Sequence, residues 1–233
     1  GVIFDTGGYN LKPTGSMETM QQDMAGGATV LGVFHALKSL GIKRNVVAVV
    51  PVVQNMVNEH AYRPSDVITM YSGKTVEVTN TDAEGRMILA DALHYASQLK
   101  PEFIVTIATL TGAVGVALGD RYCGVMGNND EVRDKLVQAG KETDELAWPL
   151  PIHDDYREKM KSKVADIRNY DRGSGRYGGT VKAAAFLENF VGDNSWSHID
   201  IGGTAFTTNP KEYQTQGATA HGLRLLIQML KNS

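Results

Sequence analysis

Residues 75–99 read TVEVTNTDAEGRMILADALHYASQL and contain a strand, a polar turn and a helix in direct succession. Residues 75–78 are mostly β-branched, and an apolar run of helical pattern follows through residues 86–99. Asp82 and Glu84 stand between the two, where the chain turns toward its core. Because charged groups are costly to remove from water unless they are paired, this turn predicts a cation site at the start of a helix.

Strand-like and helix-like segments alternate along the rest of the chain. Residues 45–53 and 103–110 are apolar on both faces, as in buried parallel strands. Alternation of this kind is typical of α/β proteins. We therefore predict a mostly parallel central sheet flanked by helices on both faces. The predicted strands are 2–4, 45–53, 67–71, 75–78, 103–110 and 196–201, and the predicted helices are 23–40, 86–99, 132–143, 181–191 and 218–230.

Composition narrows the class of protein. The chain has 233 residues, 42% of them hydrophobic, which suits one large domain or two small ones. Its 23 basic and 26 acidic residues give a net charge of -3, so the chain has no general electrostatic attraction to nucleic acid or anionic membranes. No apolar run reaches membrane-spanning length. The single cysteine, Cys123, excludes an internal disulfide and fits a reducing, cytoplasmic setting.

Four acidic residues are candidate metal ligands. Asp5 ends the first predicted strand, Asp23 lies near the start of the next helix, and Asp82 and Glu84 follow a predicted hairpin. Ligands of α/β sheets gather at the carboxyl ends of strands. Divalent cations accept carboxylate oxygens, and four carboxylates suit two ions that share ligands. An alternative is that Asp82 caps the following helix and Glu84 stabilises its first turn.

Two basic residues accompany these acids. Lys12 is suited to polarise a carbonyl group or stabilise an oxyanion. Arg86 is suited to hold a planar anion with its fork of donors. The alternative is that Lys12 is a surface lysine and that Arg86 only balances Asp82 or Glu84.

Two further segments are candidates for substrate contact. Thr109-Leu110-Thr111-Gly112 ends a predicted strand and offers backbone groups there, although it also suits a plain tight turn. Met20 precedes Asp23 by one helical turn and suits either an apolar specificity pocket or the core.

Other motifs point away from competing chemistries. Residues 173–178 match G-x-G-x-x-G, but the preceding residues 165–170 are polar and do not form a buried strand. A glycine loop that closes over the crevice is therefore favoured over a nucleotide site. The six histidines lack paired ligand spacing, and no nucleophile-elbow motif is present. Cys123 is interpreted as a small core residue.

These motifs together resemble the leucyl aminopeptidase (cytosol aminopeptidase) family. The segment at 80–86 is similar to the signature of that family, and the resemblance covers essentially the whole chain. It implies that residues 1–233 are the C-terminal catalytic metallopeptidase domain of a longer chain, whose N-terminal domain is absent. Residues 1–5 also have the pattern of the later part of a strand, which predicts that this chain is a fragment of a longer one. The other matching positions are 2–8, Lys12, Met20, 23–24, 26–28 and 108–113.

The resemblance also implies two divalent metal ions, Zn²⁺ or Mn²⁺, with Mg²⁺ and Co²⁺ as further candidates. One metal would be held by Asp5, Asp82 and Glu84, and the other by Asp5, Asp23 and Glu84. A lysine that also ligates the second metal in the family falls one residue before Gly1. Lys12 matches the catalytic lysine of the family. Arg86 matches the arginine that holds a bicarbonate ion acting as general base.

The implied reaction is removal of N-terminal residues from peptides by a hydroxide held between the metals. Full-length family members assemble as homohexamers. Apolar pockets discriminate weakly among aliphatic side chains, so broad specificity with a preference for leucine-like residues is expected. A DNA-binding role is an alternative for the missing domain, whereas the net charge of this chain argues against one here. The implied substrate-binding residues are Met20, Asn80, Thr109, Leu110 and Gly112.

Overall fold

The computed structural model describes residues 1–173, 175, 177–210 and 213–233. Its helices are α1 (Ala25–Ser39), α2 (Glu84–Gln98), α3 (Gly112–Leu118), α4 (Asp130–Thr143), α5 (Asp154–Lys159), α6 (Gly179–Leu187) and α7 (Leu223–Asn232). Its strands are β1 (Val2–Asp5), β2 (Val53–Asn55), β3 (Val67–Thr69), β4 (Thr75–Glu77), β5 (Ile104–Ala108), β6 (Cys123–Gly127), β7 (Ala147–Pro149), β8 (Ile167–Arg168), β9 (Trp196–Asp200), β10 (Phe206–Thr207) and β11 (Gly217–Ala218). Short 3₁₀ helices span Met20–Met24, Thr81–Ala83 and Glu188–Phe190.

The largest sheet has the strand order β5-β9-β6-β7. β5 and β9 are parallel and pair in register from Ile104↔Trp196 to Ala108↔Asp200. β6 is parallel to β7 and antiparallel to β9. This register brings the carboxyl ends of β5 and β9 to the same edge, so Asp200 lies beside the segment that follows β5.

Side chains alternate across this sheet into two hydrophobic cores. Ile104 and Trp196 belong to a cluster that contains residues of α2 and α6. Ile107 and Ile199 belong to a second cluster that contains residues of α1, α4 and α7. Since successive strand residues face opposite sides, helices cover both faces. The predicted α/β class with flanking helices is confirmed.

The strands are divided differently from the single sheet that the sequence predicts. Within the described residues they form four sheets: the four-stranded sheet, β3-β4-β8, β1-β2 and β10-β11. Parallel pairs are β1 with β2, β4 with β8, β5 with β9 and β6 with β7. The sheets are therefore rich in parallel pairing, but no strand of the described residues joins β1 and β2 to the main sheet.

The predicted strand at 45–53 is wrong over most of its length. Only Val53–Asn55 is a strand, and it pairs in parallel with β1. Val47 and Val52 are 70% and 52% exposed. A β-branched run becomes a strand only where another strand pairs with its backbone groups. Among the described residues, no such partner lies beside residues 45–50.

The other predicted segments are confirmed with shifted ends. The hairpin forms from β3 and β4, which pair antiparallel. The predicted helices correspond to α1, α2, α4, α6 and α7. α3 and α5 were not predicted, because their 7 and 6 residues are too few for a clear period. Within the described part of the chain, no helix has the length and apolar character needed to cross a membrane.

Two buried histidines make stability depend on pH. Burial, with the Arg86 charge as a smaller cause, lowers the pKa of His198 to about 3, and burial lowers that of His221 to about 4. An unfolded histidine has a pKa of about 6.5. Below that pH the unfolded chain binds protons that the native protein does not, so the contribution present above pH 6.5 is lost as pH falls.

We expect the free energy of unfolding to fall below pH 6.5, by about 1.4 kcal/mol per pH unit for each of these histidines. Urea titrations at several pH values measure this. His221→Asn should flatten the pH dependence relative to the unmodified protein, which isolates this contribution from those of buried carboxylates. His60→Asn, at an exposed position, is the matched control and should leave the dependence unchanged. Parallel pH curves for His221→Asn and the unmodified protein would contradict the assignment.

Candidate metal centre

Three segments converge at one end of the molecule. Asp5 ends β1, Asp82 and Glu84 lie at the start of α2, and Thr109 follows β5. All three segments line one cavity of about 1120 Å³. The sequence-based expectation that these segments meet at the carboxyl ends of strands is therefore met.

Three of the predicted ligands form a close triad. One carboxylate oxygen from each of Asp5, Asp82 and Glu84 lies within 4.8 Å of the others. Asp5 and Glu84 are 3% and 7% exposed, and the side chain of Asp82 is 33% exposed. Oε2 of Glu84 is buried and has no hydrogen-bond partner in the described part of the protein. An unpaired, buried carboxylate oxygen of this kind fits a metal ligand.

The fourth predicted ligand, Asp23, lies outside this triad. It is close enough that its charge helps to raise the pKa of Glu84. Thr109 donates a hydrogen bond of 2.6 Å from Oγ1 to Oδ1 of Asp23. The structure therefore places Asp23 beside the triad and links it to the segment after β5.

Crowding and burial disfavour the charged forms of these carboxylates. Burial is the main cause that raises the pKa of Glu84 well above its ordinary value, and the Asp5, Asp23 and Asp82 charges add to it. Burial also raises the pKa of Asp82, and it raises that of Asp23 to about 6. A divalent cation is the counter-charge that such a set of oxygens accommodates. The donor set therefore fits the metal ions that the sequence predicts.

Lys12 bridges two members of the triad. Its Nζ lies 2.7 Å from Oδ2 of Asp5 and 2.7 Å from Oδ1 of Asp82. Burial alone favours the neutral amine, but the hydrogen bonds and charges of Asp5 and Asp82 outweigh it and raise the pKa of Lys12 above its usual value. Lys12 is thus a protonated residue of the centre. The alternative of an unconnected surface lysine is wrong.

Arg86 is buried beside the triad. It is 5% exposed, and its Nη1 donates a hydrogen bond of 2.9 Å to the carbonyl oxygen of Asn169. Its Nε has no hydrogen-bond partner within the described residues. Burial lowers its pKa to about 10, against the opposing effect of the Glu84 charge. A cationic donor left unpaired in a buried place fits an anion ligand.

The turn after Asp5 requires glycine. Gly7 and Gly8 have φ values of +86° and +64°, which side chains rarely adopt. A Cβ atom on Gly7 would also lie 2.6 Å from the carbonyl oxygen of Asn10 and 2.9 Å from Oδ1 of Asp82. The backbone therefore passes close to the triad, and N–H of Gly7 donates to Oδ1 of Asp5.

Three supporting residues were not predicted from the sequence. Nδ2 of Asn55 donates to Oδ1 of Asp5 at 2.8 Å and to the carbonyl oxygen of Thr81 at 3.0 Å. Thr81 donates from Oγ1 to the carbonyl oxygen of Gly7 at 2.6 Å. Tyr62 donates from its hydroxyl to the carbonyl oxygen of Thr81. The position of Asn55 at a strand end could have been found by the strand-end rule, whereas nothing in the sequence singles out Tyr62.

Asn80 caps the short 3₁₀ helix Thr81–Ala83 that precedes α2. Oδ1 of Asn80 accepts a hydrogen bond from N–H of Asp82 at 2.9 Å. The residue before α2, Ala83, provides no side-chain cap. Asp82 instead pairs with Lys12, so the alternative in which Asp82 caps the helix is wrong. Glu84 does lie in the first turn of α2.

Asp200 holds the segment that follows β5, and sequence reasoning missed it. Its Oδ1 accepts hydrogen bonds from the backbone N–H groups of Leu110 and Thr111, at 3.1 and 3.3 Å. Its Oδ2 accepts one from Oγ1 of Thr111 at 2.7 Å. Burial raises the pKa of Asp200 to about 6, against these hydrogen bonds. Asp200 therefore fixes the backbone at Leu110.

Four candidate substrate-contact residues lie around this centre. Met20, Thr109, Leu110 and Gly112 all line the cavity, and Met20 is only half-buried, which favours the pocket interpretation over the core.

The triad, the single ligand cluster within the described ranges, contains no histidine. Burial raises the pKa of the Cys123 thiol, as expected of a core residue. Ser174 and Arg176 of the glycine motif lie outside the described residues, and Gly178 precedes α6.

Comparison with known proteins identifies the family. Residues 1–227 match the model of the cytosol aminopeptidase family, catalytic domain. The chain belongs to the cytosol aminopeptidase family. It is 49% identical over 233 residues to a probable cytosol aminopeptidase of Protochlamydia amoebophila, covering 99% of this chain and 46% of that protein. It is 48% identical to a probable cytosol aminopeptidase of Roseiflexus castenholzii, and the match covers 100% of this chain and 47% of that protein.

Coverage of these relatives is partial. A probable cytosol aminopeptidase of Brucella melitensis is 47% identical, again over all of this chain and 47% of the relative. The chain thus spans about half the length of the cytosol aminopeptidases that it matches.

We expect Glu84→Gln to weaken Mn²⁺ binding at least tenfold, because Glu84 contributes the unpaired carboxylate oxygen of the triad. Isothermal titration calorimetry measures the change. Asp66→Asn is the matched control, since Asp66 is an acid paired with Arg63 outside the triad. Equal affinities for Glu84→Gln and the unmodified protein would show that the triad does not bind metal.

We expect Asp200→Asn to loosen the segment after β5, because charge-assisted hydrogen bonds become neutral ones. Bonds to charged groups contribute roughly 1.5–3 kcal/mol, so hydrogen exchange of the Leu110 and Thr111 amides should speed up about tenfold or more. Asp166→Asn, which weakens comparable bonds to Thr75, should not affect these amides. Unchanged exchange in Asp200→Asn would refute its role in fixing this backbone.

Proposed function

We propose that the protein is a metal-dependent aminopeptidase that hydrolyses the N-terminal peptide bond of peptides. The observation that carries this proposal is the close triad of Asp5, Asp82 and Glu84, bridged by Lys12, in a chain of the cytosol aminopeptidase family. Residues 1–233 would form the C-terminal catalytic domain of the complete enzyme.

Two divalent cations, Zn²⁺ or Mn²⁺, would occupy the centre. Asp5, Asp82 and Glu84 would hold one, and Asp5, Asp23 and Glu84 would hold the other. When bound, such ions supply Lewis acidity that activates water and polarises a carbonyl group. The proximity of the triad oxygens and the unpaired Oε2 of Glu84 support this assignment.

Lys12 would stabilise the developing oxyanion. The hydrogen bonds and charges of Asp5 and Asp82 raise the pKa of Lys12 above its usual value, which favours the ammonium form. Asp5 and Asp82 hold its Nζ at the centre. An ammonium group fixed in a buried site stabilises negative charge on the scissile carbonyl oxygen more effectively than one in water.

Arg86 would hold a bicarbonate ion that serves as general base. The unpaired Nε and the burial of the guanidinium support an anion there. When bound, bicarbonate would supply general base and general acid chemistry, and Arg86 would hold it in place. Arg86 itself stays protonated, because its pKa is still about 10.

Recognition of the substrate would use the segments that line the cavity. Asp23 would help to bind the free α-amino group, which restricts cleavage to the first peptide bond. Met20, Thr109 and Gly112 would border the pocket for the first side chain, while Leu110 and Gly112 would offer backbone contacts. Asn80 would contribute a further substrate contact next to Asp82. Such apolar walls favour leucine-like residues but discriminate weakly among them.

The complete protein would be a homohexamer in the cytoplasm. The single, buried Cys123 is in keeping with a reducing compartment. Peptides would be its substrates, and the net charge of -3 offers no general attraction for nucleic acid.

We expect Lys12→Met in the full-length protein to lower kcat on leucine p-nitroanilide by about 10²–10³, the effect of removing one oxyanion donor. KM should change little, because the lost interaction forms mainly in the transition state. Lys12→Arg should retain part of the activity. Lys74→Met, at an exposed position, is the control and should match the unmodified enzyme. Full activity in Lys12→Met, or none in the unmodified protein with Mn²⁺ or Zn²⁺, would overturn the proposal.

A further inference from the structure

Lys182 places a charge inside a buried helix. α6 has the sequence GTVKAAAFL, in which Lys182 is the one charged residue. Every residue from Thr180 to Leu187 is buried, and Lys182 is only 1% exposed. Removal of an ammonium group from water is costly unless a partner compensates for it. Packing alone therefore does not account for a lysine at this position.

Asp171 pairs with this lysine. Nζ of Lys182 lies 3.2 Å from Oδ2 of Asp171, whose side chain is 9% exposed. Oδ1 of Asp171 accepts a hydrogen bond from N–H of Gly173 at 3.0 Å. A buried ion pair adds little stability compared with apolar residues of similar volume, because both charges lose their hydration. Its effect is to fix the segment that contains Asp171 against α6.

The same segment supports Arg86. Nη1 of Arg86 donates its hydrogen bond of 2.9 Å to the carbonyl oxygen of Asn169, two residues before Asp171. The ring of Tyr170 lies within cation–π distance of both cations, with its centroid 5.9 Å from Cζ of Arg86 and 5.8 Å from Nζ of Lys182. Three consecutive residues thus contact both Arg86 and Lys182.

Asn169 also holds the chain that leads into the metal centre. Its Oδ1 accepts hydrogen bonds from the backbone N–H groups of Thr79 and Asn80, at 2.9 and 3.2 Å. Its Nδ2 donates to the carbonyl oxygen of Asn80 at 2.7 Å. Asn169 is fully buried, so water does not readily replace these bonds. A shift of Asn169 would therefore displace Arg86 and the segment before Asp82 together.

We propose that Lys182 and Asp171 are positioning residues for Arg86. The ion pair fixes Asp171 to α6, and the neighbouring carbonyl group of Asn169 then orients the guanidinium group. α6 is a firm anchor, because its residues Val181, Ala184–Leu187 belong to a hydrophobic core. The inference rests on the proposed function, in which Arg86 holds bicarbonate, and the pair acts on the reaction only through Arg86.

Bicarbonate activation of the full-length enzyme tests this role. We expect Lys182→Met to raise the bicarbonate concentration that gives half-maximal kcat on leucine p-nitroanilide by about tenfold, because a misplaced guanidinium group forms weaker hydrogen bonds to the anion. KM and the affinity for Mn²⁺ should change by less than about twofold, since the pair acts only through Arg86. An unchanged half-maximal concentration in Lys182→Met would overturn the proposal.

The matched control is Arg157→Met. Arg157 pairs with Glu188, which directly follows α6, through Nε at 2.6 Å from Oε2. Its loss removes an ion pair at the opposite end of the same helix, so the bicarbonate dependence should match that of the unmodified enzyme. An equal rise in Arg157→Met and Lys182→Met would overturn the proposal, because the effect would then come from general loosening of α6.

A double variant separates positioning from stability. Lys182→Met alone leaves the buried Asp171 carboxylate without this ammonium group and lowers the free energy of unfolding. Combination with Asp171→Asn removes both charges and keeps an oxygen for N–H of Gly173. We expect the double variant to regain stability while its half-maximal bicarbonate concentration stays raised. Recovery of the normal bicarbonate dependence would show that the pair contributes to stability alone, and would overturn the proposal.

Hydrogen exchange gives a readout that does not depend on activity. The amides of Thr79 and Asn80 donate to the side chain of Asn169, so they should exchange about tenfold faster in the double variant and at the normal rate in Arg157→Met. Equal rates in the double variant and the unmodified protein would overturn the proposal.

Failure of the proposed function has a different signature. An unmodified full-length protein without aminopeptidase activity would contradict that function, whereas the exchange rates would still decide whether the pair positions this segment. An active enzyme whose kcat does not respond to bicarbonate would contradict the role of Arg86 and overturn the present inference with it.

Discussion

Electrostatic repulsion among the clustered carboxylates is the constraint on which the centre depends. Asp5, Asp82 and Glu84 lie within 4.8 Å of one another, and burial raises the pKa of Glu84. Lys12 offsets part of this repulsion through two contacts of 2.7 Å. Groups brought together against such repulsion need a positive counter-charge. The surrounding backbone is arranged around that requirement.

Hydrogen bonds between segments hold the acidic parts of the centre in place. Asn55 joins the end of β2 to Asp5 and to Thr81, and Thr81 joins the start of α2 to Gly7. Asp200 performs the same task for the segment after β5. Asn55 ends β2 and Asp200 ends β9, so the centre depends on the placement of these two strands. The chemistry and the sheet are therefore coupled.

The division of the sheet shows what local sequence leaves open. Residues 45–53 have the composition of a buried strand, yet only Val53–Asn55 forms one here. Strand propensity describes a residue that suits a pleated, partly buried surface, and that surface must be supplied by a neighbour. β5 has such a neighbour in β9 and forms as predicted. The same kind of sequence thus has two outcomes, decided by whether a paired strand is present.

The sequence by itself determined the α/β class, the longer helices, and the acids and cations of the centre. Each of these leaves a local signal, such as helical spacing, a strand end or an acidic turn before a helix. Only the tertiary structure decided that Lys12 bridges Asp5 and Asp82, and that Asn55 and Asp200 hold the backbone. These contacts join residues up to 90 positions apart. Their energies depend on distance and burial, which no local pattern encodes.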